Sequence, residues 1–88
     1  MTASMPNFVD SPTAPARNCF AIAVSDLADL PSVTKAIYVG SGGDIAVKTI
    51  GNDADVIFRN VPGGSILDIM ASAVRQSGTT ASDLVGLA

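Results

Sequence analysis

The sequence contains no histidine, no tryptophan and no glutamate, and its only cysteine is Cys19. Without histidine the commonest general base is missing. A single cysteine excludes a disulfide within the chain, and one thiolate without histidine cannot build a structural zinc site. Cys19 lies in an apolar run with no neighbour to activate a thiolate, so it reads as a plain core or sheet cysteine. Basic residues are also few: Arg17, Lys35, Lys48, Arg59 and Arg75 are scattered against eight aspartates, for a net charge of −3. A nucleic-acid binder needs clustered cations to neutralise phosphates, so that class is excluded. No stretch approaches the ~20 consecutive apolar residues that span a bilayer, and residues 1–18 lack the basic start and apolar centre of a signal peptide. These absences point away from an enzyme, with no catalytic residue, no cofactor and no metal ligand set to name.

What remains is 88 residues, room for one domain, of which 48% are apolar and 15% charged. A domain this small has little core to stabilise it, and neither a disulfide nor a metal is on offer. Oligomerisation is the remaining support, and surface that stays apolar marks a contact site. A homo-oligomer is therefore expected, assembled in the cytoplasm, where a lone thiol fits.

Residues 1–18 differ from the rest. Pro6, Pro12 and Pro15 remove three backbone donors and favour extended chain. This stretch reads either as a disordered tail or as an arm lying across a neighbour, with Phe8 and Val9 as the candidate interface residues.

From residue 19 to 88, short apolar runs alternate with turn signals, the spacing of an all-β domain. The first run is residues 19–24, with Phe20, Ile22 and Val24 on one face. Residues 25–35 connect onward, with Ser25 and Asp26 able to cap a turn and Leu27 and Leu30 as plugs over one end of the core. Residues 36–40 form a second strand, ending at Ser41-Gly42-Gly43-Asp44, a tight hairpin signal. Residues 45–50 and 56–61 form a pair about the turn Gly51-Asn52-Asp53-Ala54-Asp55, with Val56 and Phe58 on one face and Ile57, Arg59 and Val61 on the other. Pro62-Gly63-Gly64 turns again. Residues 66–76 fit a helix about as well as a strand, and the flanking turns favour one long strand of a meander. Residues 83–88 close the domain. The expected fold is a small antiparallel sandwich or partly closed barrel of about six short strands with an extended arm, and a core of Phe20, Ile22, Tyr38, Val47, Phe58 and Ile69.

Two glycine turns look like phosphate-cradling loops, but neither opens a helix or carries a Lys-Ser or Lys-Thr pair. The aspartate pairs Asp26 with Asp29 and Asp53 with Asp55 read as solvated turn residues, with a weak inter-subunit calcium site as the alternative.

A series of short motifs carries a resemblance. Ser25-Asp26-Leu27-Ala28-Asp29-Leu30-Pro31, Lys35-Ala36-Ile37-Tyr38-Val39-Gly40 and Gly43-Asp44-Ile45-Ala46-Val47 are followed by Val61-Pro62-Gly63-Gly64-Ser65-Ile66-Leu67. Ser77-Gly78-Thr79-Thr80-Ala81-Ser82 and Leu84-Val85-Gly86-Leu87 complete it. In order and spacing, residues 17–88 resemble the head spike base proteins of gene transfer agents and related phages and prophages of alphaproteobacteria. Lys35 stands where that family tends to have Arg, and Asp68 where it tends to have Pro. The resemblance implies a structural virion protein on the capsid surface, a base that anchors a spike or fibre at a vertex. Its implied partners are the major capsid protein, a spike or fibre protein, and further copies of itself as a pentamer or trimer. A decoration or cement protein spread across the shell is the first alternative. A small β-barrel that binds a receptor or sugar is the second, with Tyr38, Phe8, Phe20 and Phe58 as a thin supply of aromatics.

Overall fold

The computed structural model describes residues 15–88, and among these it is all-β. Seven strands build two antiparallel sheets: β1 (Cys19–Ala21), β2 (Ala36–Ser41), β3 (Gly43–Thr49), β4 (Val56–Val61), β5 (Ser65–Leu67), β6 (Ala71–Arg75) and β7 (Ser82–Leu87). Sheet A has the order β1-β7-β2-β5 and sheet B the order β4-β3-β6. The sheets face each other as a sandwich and do not close into a barrel. Phe8 and Val9 lie outside the described residues. The chain joins the fold before Cys19, since the N–H groups of Arg17 and Asn18 both donate to the Ala88 carbonyl, at 2.8 and 3.0 Å.

The strand order corrects the expected meander. Only the Gly51 to Asp55 turn makes a hairpin, joining β3 to β4. The turn after β2 instead carries the chain out of sheet A into sheet B, so β2 and β3 do not pair. Its glycine serves close approach: a Cβ on Gly42 would lie 2.6 Å from the Val61 carbonyl oxygen and 2.8 Å from the Gly63 nitrogen. Pro62-Gly63-Gly64 returns the chain to sheet A, where β5 pairs with β2. Residues 66–76 are extended, as preferred, but they are not one strand. Asp68, Ile69 and Met70 cross between sheets, leaving β5 in sheet A and β6 in sheet B. A chain that changes sheet within a run of apolar residues shows no glycine or proline at the break, so local pattern alone reads it as continuous.

The core lies between the sheets. Ile37, Val39, Ile45, Val47, Ala71 and Val74 are buried, joined by Val61, Ala81 and Leu84. Ile22, Val24, Leu30, Phe58, Leu67 and Ile69 pack against them as partly buried residues. Of the expected core, Val47 is fully enclosed, Ile22, Phe58 and Ile69 sit at its margin, and Phe20 is half-buried over Gly86. Tyr38 is a correction: it is 39% exposed, because β2 turns Ile37 and Val39 inward and period-2 alternation then sends Tyr38 out. Val61 is a second. Asn60 has φ of 54°, and the four residues of β4 from Phe58 to Val61 face three of β3 from Ile45 to Gly43. The extra residue is a bulge, and it returns Val61 to the inner face beside Phe58. Leu30 does plug the core, but Leu27 does not: it is 97% exposed. Cys19 belongs to a sheet, as expected, yet is exposed on the edge strand β1.

Two devices in the core were not legible beforehand. Thr34, the one polar residue among the fully buried side chains, accepts the Ala71 N–H through Oγ1 at 3.1 Å and donates to the Ile69 carbonyl at 3.3 Å. Gly86 lies directly opposite Phe20, whose ring occupies the space that a side chain there would need.

Candidate interaction surface

The outer faces of the two sheets differ. On sheet B, Ser77 to Thr80 fold back over β3. The Ala46 N–H donates to Thr79 Oγ1 at 2.9 Å and the Asp44 N–H to Thr80 Oγ1 at 2.9 Å, so Ala46 is buried although it points away from the core. Charges finish this side. Arg59 pairs with Asp44 at 3.0 Å, and Asp44 also accepts the Asn60 N–H. That amide and the guanidinium hold the Asp44 carboxyl below its ordinary value.

Among the described residues, sheet A has no such cover. Its register sets Ala21 opposite Val85, Val85 opposite Tyr38 and Tyr38 opposite Ile66, one row across all four strands. A second row holds Cys19, Leu87 and Ala36. None of these side chains is charged. Ile66 is 59% exposed and Tyr38 39%. Four strands at about 4.8 Å spacing make this apolar face roughly 14 Å wide.

The second exposed apolar feature is the turn at Leu27. Ser25 caps it as its sequence suggests, though no helix follows: Ser25 Oγ accepts the N–H groups of Leu27 at 3.2 Å and Ala28 at 3.1 Å. The Asp26 carboxylate accepts both the N–H and the hydroxyl of Ser77, at 2.8 and 2.7 Å, and those bonds hold its acid below the ordinary value. Asp26, Asp29 and Asp55 are exposed turn residues, as expected, but each also has a partner in the chain. Arg75 bonds Asp55 at 3.3 Å and stands 3.9 Å from Asp29, so one cation ties the two acidic turns together. No group of metal-ligating side chains converges among the described residues.

The described residues thus present a largely apolar outer face on sheet A, with Asp83 beside Gly40 at its border, and an exposed leucine on a tethered turn. Comparison with known proteins gives this a context. The chain matches one in a solved structure described as "Capsid of native GTA particle computed with C5 symmetry". The TM-score is 0.83 and the identity 29%, covering 94% of this chain and 95% of that one. This chain shares its fold with a GTA capsid chain. No family model matches it, and no curated protein matches it.

Proposed function

We propose that this chain is a structural protein of a phage-like particle, sited at the capsid surface, where it forms the base that anchors a spike or fibre at a vertex. The likeness to a chain of an assembled GTA capsid carries the virion role. The vertex base is the finer reading, and the motif series from Ser25 to Leu87 supports it. Its partners are then the major capsid protein below, a spike or fibre protein above, and copies of itself around the vertex. A ring of copies around a vertex repeats one pair of unlike patches head to tail. The role is architectural and not catalytic.

The test is to purify particles from cells that express a tagged chain and to image them. Tag density confined to vertices, beneath a protrusion, is the expected result. Density spread over the shell faces would replace the base with a decoration protein. Absence of the chain from purified particles would overturn the virion role altogether.

A further inference from the structure

Sheet B ends on an open strand. Its order puts β4 at one side and β6 at the other. The β6 edge is taken, because the N–H groups of Ser25 and Leu30 donate to the Val74 and Ser72 carbonyls. The edges of sheet A, β1 and β5, have three residues each, whereas β4 has six and carries no proline, glycine or lysine. The backbone groups that β4 turns outward follow from β3. Asp44 and Ala46 send their N–H groups to Thr80 and Thr79, in the turn that follows β6, and the Lys48 carbonyl accepts the Ser72 hydroxyl. The even-numbered residues of β3 thus face β6. Ile45 and Val47 face β4, and they bond the Phe58 and Val56 opposite them. Ile57 lies between these two, so its N–H and carbonyl point away from β3, where no further described strand lies. The edge is apolar on both faces. Ile57, opposite Ala46, is 40% exposed on the outer face, and Val56, opposite Val47, is 44% exposed at the rim of the inner one. Such an edge is a template for another strand. We infer that residues 7–11 of a second copy add to β4 as a new edge strand. The inference deepens the reading of the chain as a particle protein that assembles in copies, and it names the parts that meet.

Three observations select this occupant. First, the prolines fall in phase. Whichever way the added strand runs, only alternate residues of it bond to β4. Pro6 and Pro12 are both even-numbered, so a ladder of residues 7, 9 and 11 needs no N–H that the segment lacks, while a ladder of even-numbered residues would miss two. Second, Phe8 and Val9 are consecutive, so a strand sends them to opposite faces. With the ladder centred on Ile57, one of them lies beside Ile57 on the outer face. The other lies beside Phe58, half-buried at the rim of the inner face. Third, the start of the chain and β4 stand on opposite flanks. Residues 17–21 run along β7 at the β1 side of sheet A, the side that residues 22–30 tie to β6. β4 passes through Pro62-Gly63-Gly64 to β5, at the far side. The segment before Pro15 therefore faces the β4 of the next copy in a head-to-tail row. Residues 1–14 reach up to about 46 Å when extended, ample to cross to a neighbour and lay five residues along it. Two β4 strands paired with each other would close a dimer and build no ring.

The experiment uses the full chain, with amide exchange followed by NMR and mass by sedimentation velocity across a concentration series. Val9→Pro removes the central donor of the ladder. Ala3→Pro, outside the segment, is the control, and circular dichroism checks that both fold. In the wild type, exchange of the Ile57 amide is expected to slow about tenfold or more as concentration and mass rise. Ala3→Pro should follow the wild type, while Val9→Pro should stay monomeric with a fast Ile57 amide. Isotope-labelled Val9→Pro mixed with an excess of unlabelled wild type should recover slow exchange at Ile57, because its edge is intact and the other copy supplies the strand. Fast exchange at Ile57 in the wild type at every concentration overturns the inference. So does slow exchange in a chain that stays monomeric, which would put the segment on its own β4. Val9→Pro that associates like the wild type also overturns it, since β4 would then pair with β4, and so does a labelled variant that gains no protection in the mixture. Particle incorporation separates this from the functional reading. Wild-type chain found in particles while its Ile57 amide stays fast removes the contact alone, and concentration-dependent protection in a chain absent from particles removes the virion role alone.

Discussion

Replacing Thr34 by valine tests the core most directly. The side chain is 0% exposed, and its Oγ1 accepts the N–H of Ala71 while donating to the Ile69 carbonyl. Both partners belong to the passage from β5 to β6, where the chain leaves sheet A for sheet B. The backbone N–H of Thr34 adds a third bond there, to the Ala71 carbonyl at 3.0 Å. Valine keeps the shape and the β-branching but deletes the oxygen. Ala71 is itself fully buried, so its N–H is left without a partner and without water. An unsatisfied buried donor costs about 1–3 kcal/mol. In a domain of this size each kcal/mol lowers the Tm by roughly 4–8 °C, so Thr34→Val should melt well below the wild type. Thr34→Ser separates the bond from the packing: it keeps the oxygen and loses one methyl, worth about 0.8 kcal/mol before any cavity cost. Calorimetry on both variants is the assay. A valine variant that melts with the wild type, beside a serine variant that melts lower, would show that Thr34 acts by filling space and that the bonding argument is wrong.

Ile37→Ala should cost about 2–5 kcal/mol by denaturant unfolding, while Tyr38→Ala should change monomer stability little, and the reverse order would invert the faces of β2. Gly86→Ala should destabilise by about 1–3 kcal/mol, because its Cβ would lie 2.5 Å from Phe20 Cζ, and should do so much less in a Phe20→Ala background; equal penalties in both backgrounds would rule out the ring as the cause. Asp26 bonds to Ser77 only in the fold, which lowers its acid below the ordinary 3.8. A group depressed in the fold contributes stability above its unfolded pKa and loses it as pH falls through the folded one, so the Tm advantage of wild type over Asp26→Ala should shrink on acidification below about pH 4. A difference that stays constant with pH would mean that the Asp26 bonds do not act through its charge.

The strands were legible because each carries β-branched residues between turn signals: residues 36–40, 45–50 and 56–61 all read directly from the sequence as strands. What was not legible is which sheet each belongs to. A glycine turn states that the chain changes direction, not whether it returns beside the strand it left. Gly42 and Gly63 meet each other where two inter-sheet passages cross, and that needs both passages at once. The face of β2 was ambiguous for a related reason. Ile37, Tyr38 and Val39 are apolar in succession, so alternation fixes two faces without saying which is inward. Long-range packing of Ile37 and Val39 on Ile45, Val47 and Val74 decides it. Part of the surface was within reach. Once β2 is turned the right way, Tyr38 and Ile66 fall outward by parity alone. The exposure of Leu27 was not, because its turn is aimed by Ser77, fifty-one positions along the chain from Asp26.

The same topology accounts for the unusually apolar composition. The inner layer is built from small and β-branched side chains, with Ala71 and Ala81 among its buried members and with Phe20 and Phe58 only partly enclosed. Such a core is thin, so the domain has little stability in reserve. Chain that might have thickened it is spent instead on crossings between sheets, and these leave Ile66 on the short edge strand β5 and Leu27 on a tethered turn, both in water. A residue with no role in contact would cost nothing to replace by a polar one at either position. Holding Leu27 outward takes four hydrogen bonds from Ser25 and Asp26, and that effort is consistent with a purpose outside the monomer. By mass action, whatever covers these residues adds its binding free energy to the fold. The domain should therefore become more resistant to heat as its concentration rises, and substitution of Leu27 by aspartate should weaken that dependence while leaving the dilute Tm where it was. A Tm independent of concentration in the wild type would mean that the exposed leucine meets no copy of its own chain.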